Sequence, residues 1–156
     1  VFSIAAYLGL KIGLHRPARA VVGHSGRGHV TLMLHTYVGR DPDEVRRAVQ
    51  TPLMRYLADS TDLWAQNSPQ FAALSPAGRQ VALQFAFERY LRRQSLCGSV
   101  AECVERVKGL AGHDVDEIAC LVDFGVGEDL VLRSLENVAR VRRTVTSPAA
   151  EPIDQP

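Results

Sequence analysis

Apolar and polar positions alternate along residues 29–38. Val30, Leu32, Leu34 and Val38 fall on one side, and Thr31, Met33, His35 and Tyr37 on the other. That period predicts a strand with one aliphatic face, which helices cover, and one mixed face of the kind that borders a site. A second apolar run, Ile118 to Val122, follows two acids and stops at Asp123-Phe124-Gly125. Its length and its turn boundaries predict a strand buried on both faces. The amphipathic stretches at 99–111 and 129–143 precede and follow this run. In the second of them Leu132, Leu135, Val138 and Val141 are spaced to face a sheet.

Helical signals continue elsewhere. Residues 4–22 form an uneven helix that Pro17 kinks or restarts. Asp41 as N-cap, Pro42 at the first helical position and Glu44 two further on open another, with Val45, Ala48 and Val49 inward and a restart at Pro52. Residues 60–78 read as a long insertion rich in Pro and Ser. Residues 79–93 carry apolar groups around more than one face, so both sides call for cover. Leu96-Cys97-Gly98 reads as a turn, and Ser99 with Glu102 as a capping box. Three segments result: a helix and loop over 1–28, an α/β portion over 29–146, and a flexible tail or linker over 147–156. Two parallel strands cannot form a stable sheet alone, so this pattern describes part of a larger α/β domain.

Composition changes little in this picture. With 18 basic and 17 acidic residues and a net charge of +1, the chain has no electrostatic case for nucleic acid or a membrane surface. No apolar run is long enough to span a bilayer. Cys97, Cys103 and Cys120 are an odd set without zinc spacing, which fits buried thiols in a reducing cytoplasm. The glycine-rich 23–28 segment leads into a strand, not a helix, so it is a connection and not a phosphate loop. The chain ends of parallel strands are where α/β folds place ligands. His35, Thr36, Asp123 and Phe124 sit at those ends and are the candidate site residues. For His35 taken alone, a hydrogen-bonded structural role outweighs a catalytic one.

Three blocks of the chain are similar to one known family. Residues 26–39 (Gly-Arg-Gly-His-Val-Thr-Leu-Met-Leu-His-Thr-Tyr-Val-Gly), residues 97–103 (Cys-Gly-Ser-Val-Ala-Glu-Cys) and residues 115–126 (Val-Asp-Glu-Ile-Ala-Cys-Leu-Val-Asp-Phe-Gly-Val) resemble, in order and spacing, the bacterial luciferase-like flavin monooxygenases. The subgroup is the one found within or beside nonribosomal peptide and polyketide synthases. The resemblance covers residues 11–143 and implies the C-terminal part of a (β/α)8 TIM barrel, an incomplete barrel holding its seventh and eighth strands. It implies reduced FMN as cofactor, flavin-peroxide oxygenation, and His35, Thr36, Asp123 and Phe124 as flavin- or substrate-facing groups. The implied partners are a small-molecule or carrier-bound substrate and either the missing N-terminal half of the barrel or a neighbouring synthase module. The alternatives are a non-catalytic remnant or scaffold piece without flavin binding, and a small helical interaction module.

Overall fold

The central strand is the alternating one. In the computed structural model, which describes residues 4–65 and 73–147, β1 (Thr31–Gly39) lies between β2 (Leu96–Ser99) and β3 (Glu117–Leu121) in a parallel sheet of order β2-β1-β3. Its carboxyl half pairs with β2, Thr36 opposite Leu96 and Gly39 opposite Ser99. Its amino half pairs with β3, Thr31 opposite Glu117 and His35 opposite Leu121. The two apolar runs read from the sequence are thus hydrogen-bonded neighbours.

Five helices complete the described chain: α1 (Ile4–Val21), α2 (Pro42–Ala65), α3 (Pro76–Arg93), α4 (Val100–Ala111) and α5 (Glu128–Thr146). The aliphatic face of β1 behaves as its pattern requires. Leu34 and Val38, with Leu96 of β2, pack against Ile12 of α1, Cys103, Val104 and Leu110 of α4, and Val141 of α5. The mixed face is covered too: Tyr37 and Cys97 pack against Val45, Val49 and Leu53 of α2 and Phe87 of α3. Helices therefore lie on both sides of the sheet in three layers, an α/β architecture. Gly39 permits the tight turn into α2, since a Cβ there would lie 2.7 Å from Cγ2 of Val45.

Local propensity and packing disagree at several places, and packing prevails. Leu96, Cys97 and Gly98 are strand, not turn. Four residues with a glycine carry no legible period, but their burial and pairing with β1 fix them. Pro17 and Pro52 lie inside continuous helices. Around Pro52 the helix runs through because Val49 and Leu53 are both fully buried against the sheet. The expected insertion over 60–78 is shorter than its composition suggests: α2 extends to Ala65 and α3 begins at Pro76, with Ser75 as its side-chain cap. Residues 66–72 of it, and the tail over 148–156, lie outside the described residues. In α5 the buried residues are Ser134 and Val141, with Val138 half-buried beside them; Leu132 and Leu135 face outward, at 57% and 42% exposure. On α3, Val81 and Phe85 remain 71% and 70% exposed, so only one of its apolar sides is covered among the described residues.

β3 is also not buried on both faces. It is an edge strand whose residues are half-buried or exposed. Glu117 N–H donates to Val30 O, so in a parallel ladder the backbone groups of Ile118 and Cys120 point away from β1. No hydrogen bond reaches them among the described residues. The outer edge of β2 is treated differently. Arg106 Nη1 donates to Ser95 O and Cys97 O, Ser95 Oγ accepts from Cys97 N–H, and Glu102 accepts from Ser99 N–H.

The carboxyl end of β1 outlasts β3, which would leave Val38 without a partner on that side. Helix α5 supplies one. Val38 N–H donates to Ser134 Oγ at 2.8 Å, and Asn137 Nδ2 donates to Val38 O at 3.0 Å. Two side chains thereby replace one rung of a strand. Removing the hydroxyl orphans a buried amide, so Ser134→Ala should lower unfolding stability by about 1–3 kcal/mol. The exposed Leu135→Ala should change it by roughly 0.5 kcal/mol or less. Urea unfolding of the two variants side by side checks the contrast.

Candidate functional site

The helix following β1 lies on one face of the sheet, and the helices following β2 and β3 lie on the other. Wherever neighbouring parallel strands send their connections to opposite sides, a crevice opens at their carboxyl ends. Here β1 is flanked by two such places.

The crevice between β1 and β3 holds an aromatic cluster. His35 projects to the mixed face, where its ring centroid lies 4.4 Å from Tyr56, 5.7 Å from Tyr90 and 5.1 Å from Phe124. His35 Nδ1 is 2.6 Å from the Tyr90 hydroxyl. Burial alone lowers the His35 pKa below 6.5. Burial, then the Tyr56 and Cys97 groups, pushes Tyr90 up to about 12. Near neutrality the pair is therefore a neutral imidazole accepting from, or donating to, an intact phenol. It can hold or pass one proton, and it carries no charge.

The four residues singled out from the sequence do not all meet. His35 and Phe124 are in ring contact. Thr36 is next to His35 in sequence but points to the other face, and its hydroxyl donates to Leu34 O at 2.9 Å. Asp123 is exposed beside Phe124, with no hydrogen bond among the described residues. The turn after Phe124 depends on Gly125, whose φ of +97° a side chain would resist. Nothing in the sequence pattern marks Tyr56 and Tyr90 as site residues. Both sit at apolar positions of helical patterns, where an aromatic is read as core, and only the β1–α2–α3 arrangement brings them to His35.

The crevice between β1 and β2 is a cavity of about 420 Å³ whose lining includes Asp43, Arg46, Arg92, Gly98, Glu102 and Arg106. Its charges are largely matched. Arg46 pairs with Glu88, which this bond holds below the usual carboxylate range. Glu102 accepts from Ser99 N–H and Oγ, and the backbone bond is the main cause of its lowered pKa. Cys97 and Cys103 nearby are structural: burial raises their pKa values to about 11 and about 12, and each thiol donates to a carbonyl. Among the described residues no group of three His, Cys, Asp or Glu could hold a metal ion, and no helix is long and apolar enough to cross a membrane.

The ring cluster could offer one aromatic wall to a flat ligand through Tyr56, which is 43% exposed; His35, at 5% exposure, is already enclosed by its neighbours. A phosphate group is poorly served at this end of the sheet. Helix N-termini attract phosphate, but all three here carry acids: Asp41, Asp43 and Glu44 on α2, Glu102 on α4, Glu128 and Asp129 on α5. The described residues therefore do not by themselves fit a whole flavin mononucleotide.

His35 gives the cluster a pH signature. Its folded pKa lies below its unfolded value of 6.5, so below that pH the unfolded chain binds more protons and stability falls as pH drops. Thermal unfolding followed between about pH 7.5 and pH 5.5 should show this loss, and the His35→Gln variant should give a flatter curve. No protein-family model matches the chain, and comparison with curated proteins gives no significant match.

Proposed function

We propose that the chain is the C-terminal portion of an FMN-dependent, luciferase-like monooxygenase acting in natural-product biosynthesis, its sheet contributing to a (β/α)8 barrel. The observation that supports this reading is the convergence of its sequence blocks. Residues 26–39 and 115–126 resemble the same family, and they form adjacent parallel strands whose carboxyl ends bring His35 and Phe124 within 5.1 Å. In a fold of this class that is the end at which ligands bind.

In this reading the chain contributes one wall of the pocket. Phe124 and Tyr56 present apolar ring surface, and Tyr90 fixes the orientation of His35 through its hydroxyl. A bound flavin would supply the oxygen chemistry. The phosphate and most of the cofactor's contacts fall to the barrel strands that precede this portion. The substrate is a small molecule or one tethered to a carrier protein of a neighbouring synthase module.

One feature favours a second reading. Helices α2 and α3 cover the mixed face of the sheet, the face that a barrel turns toward its own interior. A chain that keeps this arrangement is a non-catalytic remnant or scaffold piece. Titrating the purified 156-residue chain with lumiflavin, the flavin ring system without its phosphate, and following quenching of its fluorescence separates the two, because the ring wall is the part of the pocket this chain supplies. The monooxygenase reading expects saturable quenching, weakened up to about tenfold in Tyr56→Ala by loss of ring stacking. Absence of any saturable binding favours the remnant.

A further inference from the structure

On the aliphatic side of the sheet, beyond β2, lies a cavity of about 180 Å³ whose lining includes Arg92, Arg93, Gln94, Ser95, Arg106 and His113. It is separate from the ring cluster. Leu34 forms part of its wall, and Leu34 points to the face opposite His35. Three guanidinium groups and one imidazole border this space, and no carboxylate does.

No ion pair holds the three arginines there among the described residues, although Arg92 and Arg106 also border the β1–β2 crevice and act at longer range on Glu88 and Glu102. Arg92 and Arg93, in the last turn of α3, have no ion pair or side-chain hydrogen bond among the described residues. Their position suits the helix dipole, but neither caps the final carbonyls. Arg106 is fixed differently: Nη1 bonds Ser95 O at 3.2 Å and Cys97 O at 2.7 Å. Those two bonds immobilise a planar fork, and among the described residues Nη2 and Nε have no hydrogen-bond partner. A guanidinium already fixed in place loses less entropy when it binds an oxyanion. The carboxylates within electrostatic reach are engaged elsewhere, Glu102 with Ser99 and Glu88 with Arg46 and Gln84. The space exceeds what a few waters need and accepts a tetrahedral group with part of its ester.

We propose that this cavity is a binding site for a dianionic phosphate group, held bidentately by Arg106 and closed by Arg92 and Arg93. The ligand is free phosphate or a small phosphate monoester. The site does not depend on flavin binding, because its lining shares no residue with the aromatic cluster.

The test is calorimetric titration of the full chain with inorganic phosphate, at ionic strength held constant with chloride. Saturable binding is expected, weakened at least about tenfold in Arg92→Gln/Arg93→Gln. Arg93→Gln alone, on the exposed helix end, serves if the double variant unfolds early, and should weaken binding severalfold. Arg106→Lys keeps a cation but loses the fork, and should also weaken it. Glycerol phosphate binding more tightly than inorganic phosphate would identify a monoester as the ligand, and equal affinity would identify the free ion. Unchanged affinity in the arginine variants, or acetate binding as well as phosphate, would overturn the proposal.

Discussion

The backbone of one residue, Val38, carries much of this arrangement. Its N–H and C=O are both met by side chains of α5, while the residues on either side of it pair with β2. A buried peptide group left without partners costs as much as several ordinary contacts gain. The carboxyl end of β1 can extend past β3 only because Ser134 and Asn137 stand where a strand would be. That pins α5 against the sheet, and with it the loop carrying Phe124. The placement of Phe124 over His35 is thus tied to a backbone requirement three residues further along β1.

The alternation over residues 31–38 was legible because the central strand meets two different cores, one aliphatic and one mixed, and its composition records both. The caps were legible for a local reason: Asp41 bonds the amides of Asp43 and Glu44, and Ser99 and Glu102 bond each other, within four residues of sequence. What was hidden depends on distant partners. β2 is four residues long and is a strand only because β1 lies beside it. Ser134 is polar and has no place in the apolar spacing of Leu132 and Leu135, yet it is one of the two residues that α5 buries. Prolines 17 and 52 signal breaks that tertiary packing overrides. At the candidate site the same division holds. His35 and Phe124 could be placed at strand ends from sequence alone. Thr36 points away by strand geometry, and Tyr56 and Tyr90 reach the cluster only through the long connection between β1 and β2.

The chemistry at the carboxyl end of the sheet is defined by neutrality and by acids. The His35–Tyr90 pair is uncharged near neutrality, and each helix that starts there is capped or flanked by carboxylates. Such an end suits apolar and aromatic surfaces and repels phosphates. Around Arg106, beyond β2, three guanidinium groups border one cavity that no carboxylate lines. The proposed phosphate site and the aromatic cluster thus share no lining residue.

The two borders of the sheet differ in kind. Along β2 the outward amide and carbonyl groups are met by Arg106, Ser95 and Glu102; along β3 those of Ile118 and Cys120 have no partner among the described residues. A bare border is a template for any extended peptide, including the same border on a second molecule. With the opposite border sealed, such pairing has nowhere to continue. Two copies can zip together about a two-fold axis and stop, whereas a ribbon growing molecule by molecule is denied its next step.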